Sequence, residues 1–409
     1  MEKLSLPAMI CIVVLFCAAA AIAARAQNVF FTTLANFDGA NGAGLSGPLV
    51  LASDGNFYGT ANGGGSYSEG TVFKITPSGV LTSVYSFCAQ TGCPDGNGPL
   101  GGVVRGTDGN LYGVTQYGGS YDNGTVFKIT ATGTLTTLYS FCAQAGCTDG
   151  SQPLAGLVQA TDGNFYGTTA GGGVYGAGTV FKMTPAGMLT TLHSFDNDDG
   201  GGPASTLVQG SDGNFYGTTY YGGNYIWGTV FKISPGGDFT SLYSFKQYPY
   251  GANPYGSLVQ GNDGNFYGTT EGGGTNYNCE PGCGTVFTIT SSGAFTTLYD
   301  FSGPDGFSPY AGLVLGSDGN FYGVTQSGGS SSWCNSYGVS GCGTVFTMTP
   351  GGMLTTLHSF DLTDGAGPSS ALVQVRNGAL YGTTNGGGAD GDGTVFRIGV
   401  VHTCATCRP

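Results

Sequence analysis

Short runs of apolar and β-branched residues, separated by clusters of Gly, Asp, Asn and Pro, recur along this chain. None carries an apolar stripe at the 3.6-residue helical spacing, so the pattern predicts strands and turns. One stretch serves as the template. Leu154–Gln159 is a short apolar strand, a, and Asp162-Gly163 a tight turn into strand b over Asn164–Thr169. After a Gly-rich loop comes strand c, Gly178–Thr184; Pro185-Ala-Gly187 then turns the chain into strand d, Met188–Phe195.

The whole unit repeats. Asp-Gly-Asn-Phe/Leu-Tyr-Gly begins at Asp54, Asp108, Asp162, Asp212, Asp263 and Asp318, and a worn copy starts at Asn377. Gly-Thr-Val-Phe begins at Gly70, Gly124, Gly178, Gly228, Gly284, Gly343 and Gly393. Four strands in roughly 50 residues is the signature of a β-propeller blade, and a β-helix would have a shorter period. The chain ends soon after the seventh strand c, yet it begins with Phe30-Phe-Thr-Thr-Leu-Ala-Asn-Phe37, which has the pattern of strand d. The expected fold is therefore all-β: a seven-bladed propeller of four-stranded blades over residues 27–399, closed by the N-terminal strand completing the last blade. Closure removes an open sheet edge.

These motifs, Asp162-Gly-Asn-Phe-Tyr-Gly-Thr-Thr169, Gly178-Thr-Val-Phe-Lys-Met-Thr-Pro185 and Leu189-Thr-Thr-Leu-His-Ser-Phe195, resemble the Gloeo/Verruco (GloVer) tandem repeat of exported bacterial proteins. The resemblance covers nearly the whole mature chain. It implies an exported bacterial protein with a propeller-type repeat domain and assigns no activity to any residue. Members often carry a separate surface anchor; after Ile398 only Gly399 to Pro409 remain here, without a hydrophobic one.

Composition adds the compartment. Residues 1–26 read as a signal peptide: Lys3, an apolar stretch from Ala8 to Ala24, and Ala24-Arg25-Ala26 as a cleavage site, with an uncleaved anchor as the alternative. No second apolar stretch follows, so no transmembrane segment is expected after cleavage, and the protein is expected to be secreted, cell-surface or periplasmic. Ten cysteines remain in five close pairs: Cys88/Cys93, Cys142/Cys147, Cys279/Cys283, Cys334/Cys342 and Cys404/Cys407. An even number in an exported chain implies disulfides within each loop. Zinc on His402, Cys404 and Cys407 in the 400–409 tail is the competing reading, and it lacks a second ligand pair. Gly makes up 79 of 409 residues, and the net charge of −13 excludes a nucleic-acid partner.

The alternating strand order puts the tight a–b and c–d turns on one face and the long, variable b–c and d–a loops on the other, where binding residues are expected. Those loops are aromatic. The candidates for ligand contact are Tyr117, Tyr121, Tyr221, Tyr225, Trp227, Tyr277, Trp333 and Tyr337, and the d–a loops add Tyr248, Tyr250, Tyr255, Phe307 and Tyr310. Tyr and Trp offer flat apolar faces with polar tips, suited to sugar rings or a protein partner; the plainer alternative is that they seal the Gly-rich loops. His193 and His358 stand where other repeats have Tyr, which gives them a structural place. Asp196-Asn-Asp-Asp-Gly200 begins like a calcium loop without its closing Glu, so a turn is expected there and no metal or cofactor. The expected function is a monomeric, non-catalytic exported binding protein for a saccharide-like or protein ligand. The alternatives are a glycoside hydrolase or polysaccharide lyase using loop-face carboxylates, among them Glu69, Asp122, Glu271 and Asp305, and a structural envelope protein.

Overall fold

The computed structural model describes residues 28–401 except 247–248, 277–278, 280–281 and 337–338. The expected signal peptide, Tyr248, Tyr277, Tyr337, His402 and the Cys404/Cys407 pair lie outside them.

Seven four-stranded antiparallel sheets form the blades of a β-propeller. In the third, strands a to d are Val158–Gln159, Phe165–Thr169, Thr179–Met183 and Leu189–Ser194. Apart from a single 3-10 turn at Ala145–Cys147, the regular structure of the described residues is strand. Strand a is shorter than its apolar run suggests, because only its last residues pair with strand b. The preceding residues run along the propeller axis, where neighbouring blades meet backbone to backbone. A Cβ on Gly101 would lie 2.5 Å from the Ala155 carbonyl carbon, which explains the small residues before each strand a.

Strand b is buried on both faces, since each blade is sandwiched between two others. Side chains alternate across a strand, so the Phe and Tyr of Asp-Gly-Asn-Phe-Tyr-Gly point to opposite neighbours. The Tyr of one blade accordingly meets the Phe of the next: Tyr112 on Phe165 at 4.2 Å, Tyr166 on Phe215 at 4.0 Å, Tyr216 on Phe266 at 3.8 Å. Further out, the Phe ending each strand d packs edge-on against the strand c Phe of the following blade, as in Phe141–Phe181 and Phe195–Phe231. Stacked and edge-on aromatic contacts therefore run blade to blade around the ring.

At the seam Tyr381 of the last blade meets Phe57 of the first at 4.3 Å, and the N-terminal segment supplies the missing strand d and its edge-on Phe. Asn28–Asn36 pairs antiparallel with the strand c of the last blade, Thr394–Val401, and Phe37 packs edge-on against Phe73 of the first blade at 5.0 Å. Each internal c–d pairing carries a β-bulge, which in the third blade skips Leu192; the closing strand skips Leu34 at the same point. The carbonyl of the bulged residue faces the c–d turn of the next blade. Gly79, at φ +93°, sits so close to the Leu34 oxygen that a Cβ would lie 2.5 Å from it, so the turn needs a glycine.

Candidate functional site

The repeated Asp-Gly-Asn unit is turn chemistry. Asp162 accepts the backbone N–H of Asn164 at 3.0 Å, and its other oxygen accepts the Asn164 side chain, the Tyr166 hydroxyl and the Lys182 ammonium. The same Asp–Asn–Tyr set recurs at Asp54, Asp108, Asp212, Asp263 and Asp318. Burial raises the Asp162 pKa, but these hydrogen bonds outweigh it and hold the carboxyl well below its ordinary range.

On the other face the d–a loops are tied down by a second repeated device. The strand d residue donates to a loop carboxylate: Tyr85 to Asp95 and Tyr139 to Asp149, each at 2.8 Å, and Tyr299 to Asp305. His193 and His358 meet Asp199 and Asp364 in the same way, each at 2.7 Å. The two histidines thus fill a tyrosine's structural place, and five of the loop-face acids are occupied in holding loops. In the Asp196–Gly200 loop the Asp196 carboxylate accepts the backbone N–H groups of Asp198 and Asp199, closing a turn. Among the described residues no group of three or more His, Cys, Asp or Glu could hold a metal ion. Disulfides Cys88–Cys93 and Cys142–Cys147 brace two d–a loops, and Cys279–Cys283 and Cys334–Cys342 brace two b–c loops.

The loop face also holds a cavity of about 210 Å³ on the propeller axis. All seven blades line it with the residues just before strand a: Ser46, Leu100, Leu154, Ala204, Tyr255, Tyr310 and Ser369 occupy the same place in successive repeats. Gln326 and Asn385, which follow strand b, join them. No residue lining the cavity carries a charge, in a protein of net charge −13. The wall is asymmetric. Tyr255 and Tyr310 stack at 3.8 Å, and Tyr220 meets Tyr255 edge-on at 5.8 Å. Behind them, Glu271 accepts the Tyr220 hydroxyl at 3.0 Å. Burial raises the Glu271 pKa, and the Tyr220 bond only partly offsets this; burial likewise raises Tyr255 and Tyr310, with the Glu271 charge adding to the effect.

Of the aromatic candidates named from the sequence, Tyr255 and Tyr310 of the d–a loops line this cavity, and none of the described b–c loop candidates does. Trp227 is half-buried against the core between the fourth and fifth blades. Tyr221 lies over Gly201 and Gly202, where an added Cβ would come within 2.5 Å of its ring. Tyr117 is exposed, Tyr121 and Tyr225 sit at loop tips, and Trp333 is exposed on the sixth blade. Tyr255 and Tyr310 were legible as loop aromatics. Aligning the repeats on the Pro before each of them (Pro254, Pro309) marks the signal: only these two blades place a ring in that column.

Residues 21–148, 105–337 and 278–407 match the model of the Gloeobacter/Verrucomicrobia repeat. The chain belongs to that family. Among curated proteins none matches this sequence. Solved structures share the propeller fold of this repeat protein at low identity. The extracellular domain of the putative hybrid two-component system BT3049 from Bacteroides thetaiotaomicron is 13% identical with a TM-score of 0.54, over 90% of this chain and 40% of that one. The periplasmic gluconolactonase PpgL of Pseudomonas aeruginosa is 18% identical with a TM-score of 0.51, over 77% of this chain and 85% of that one. A puromycin-hydrolyzing peptidase of Mycobacterium tuberculosis is 13% identical with a TM-score of 0.52, over 90% and 55%. The chain thus spans well under two thirds of the first and third of these. At such identities the likeness is one of fold.

Proposed function

We propose that this is an exported binding protein that holds a neutral, polyhydroxylated ligand of the saccharide class at the axial cavity on its loop face. The observation that carries the reading is the cavity's wholly uncharged lining, with a stacked tyrosine pair on one side and hydroxyl and amide groups (Ser46, Thr206, Ser257, Gln326, Ser369, Asn385) around the rest. Sugar rings present an apolar face for stacking and a rim of hydroxyls that such groups satisfy. Ser369 adds support, for its buried hydroxyl has no hydrogen-bond partner among the described residues. Four disulfides support export, since such bonds persist in oxidising compartments. Among the described residues no helix is long and apolar enough to cross a membrane. Two-carboxylate glycoside hydrolysis needs acids roughly 5–9.5 Å apart across the substrate. Glu271 stands behind the tyrosine wall, and no acid lines the cavity, which favours binding over hydrolysis.

Isothermal titration of the purified protein with neutral cello-, xylo-, manno- and malto-oligosaccharides tests this. Saturable binding, abolished in a Tyr255→Ala/Tyr310→Ala variant of unchanged melting temperature, is expected. No binding to any of them refutes the saccharide reading, and release of shorter products replaces it with the enzyme reading.

A further inference from the structure

The aromatic residues that recur from blade to blade are buried or half-buried, with one exception. The tips of the b–c loops in the first four blades carry Tyr67, Tyr121, Tyr175 and Tyr225, and these rings are 44–64% exposed. Core packing accounts for the Phe and Tyr of strands b, c and d; it does not account for a tyrosine repeated in solvent.

The backbone beneath each ring is the same. A turn closes from residue 68 to Gly65, from residue 122 to Gly119, from residue 176 to Gly173 and from residue 226 to Gly223, and the Tyr is third in every one. The fourth residue has positive φ in all cases: Ser68 64°, Asp122 55°, Gly176 78° and Ile226 64°. For a β-branched Ile this conformation is strained, so the surrounding loop enforces it. A strand d serine backs the tip in three blades, Ser86, Ser140 and Ser244 accepting the N–H of residues 66, 120 and 224. The tips are thus rigid, and holding a Tyr ready in advance removes much of the ordering cost of binding. Charge around them is sparse: Glu69 and Asp122 lie in the first two loops, the third and fourth loops carry none, and Lys246 sits over the Tyr225 ring at 4.8 Å.

We infer that these four tyrosines form a second, multivalent surface that grips units spaced along a neutral polysaccharide chain. Similar, preorganised platforms repeated on consecutive blades suit a ligand that itself repeats, and a chain with few cations and a net charge of −13 disfavours a polyanion. Trp333, 77% exposed on the sixth blade, extends the aromatic rim. The inference rests on the loop face being the binding face but not on occupancy of the axial cavity. A polymer held at the rim can deliver its end or a branch to the cavity.

Affinity electrophoresis in gels containing hydroxyethylcellulose, galactomannan, xyloglucan or pullulan, with polygalacturonate as the anionic control, is the test. At least one neutral polymer should retard the protein, with affinity rising with chain length, and polygalacturonate should not. Each Tyr→Ala change should weaken retention about threefold, and all four together about eighty-fold, at stacking energies usual for aromatic contacts. Tyr→Phe changes should keep it. The Tyr255→Ala/Tyr310→Ala variant should still be retarded, while the tip variant should still bind oligosaccharides in the calorimeter, so the two sites fail separately. Absence of retardation in every neutral gel overturns the inference, as does undiminished retardation of the quadruple variant with its melting temperature unchanged.

Discussion

Replacing Phe37 with Ala should loosen the propeller at its seam. Phe37 is fully buried, packs on Phe73, and shares a core cluster with Leu45, Leu49 and Phe57. Truncating such a ring costs about 3–5 kcal/mol. Phe245→Ala makes the same cut inside the chain, since Phe245 is equally buried and packs edge-on against Phe287 at 5.4 Å. The two variants should lose similar global stability in urea. They should differ locally, because the strand before Phe245 is joined by a turn to the strand c it pairs with, whereas Asn28–Asn36 meets its partner Thr394–Val401 through non-covalent contacts, chiefly their ladder. Hydrogen exchange read by mass spectrometry should therefore speed up in both seam strands of Phe37→Ala by about two to three and a half orders of magnitude, at 1.4 kcal/mol per factor of ten. In Phe245→Ala, seam exchange should change no more than global stability requires. Wild-type protection of Thr394–Val401 in Phe37→Ala, with stability changed by less than about 1 kcal/mol, would refute the account of closure.

Gly167→Ala should cost about 1–3 kcal/mol, because the new methyl would sit 2.7 Å from Phe181 and 2.8 Å from Leu157. Gly163→Ala, with open space but φ +82°, should lose only about 1–2 kcal/mol of backbone energy; chemical denaturation measures both. His193→Tyr should change stability by less than about 1 kcal/mol, since Tyr299 already donates to Asp305 across an equally short loop. His193→Phe, which leaves Asp199 without that partner, should lose about 1–3 kcal/mol by the same assay. Burial, and then the Asp54 carboxylate, push the Tyr58 hydroxyl up to about 12, and burial and Asp318 do the same to Tyr322. A raised folded-state pKa gives stability that is complete below pH 10 and is lost as pH rises towards 12. Unfolding free energy should therefore fall across that window, and less steeply in Tyr58→Phe; a pH-independent value from 9 to 12 would contradict the assignment.

The order of strands, the number of blades and the closing role of the first strand were all legible in the sequence. Each is written in local patterns: a tight turn at Asp162-Gly163, alternation through Phe165-Tyr166, and a strand d motif present at Phe30–Phe37 without a blade of its own. Even the role of His193 could be read there, because a repeat reveals which positions are interchangeable. The axial site could not. Tyr255 and Tyr310 are 55 residues apart and become stacked neighbours only when radial closure brings the segments before strand a to a common axis. Sequence spacing within a repeat tells which face a residue occupies but not its distance from that axis. Trp227 and Trp333 are both large aromatics of the loop face; the fold half-buries one against the core and leaves the other on the rim. Local chemistry thus decided the blades, and the ring, which packs each blade against two others, decided which side chains could share a cavity.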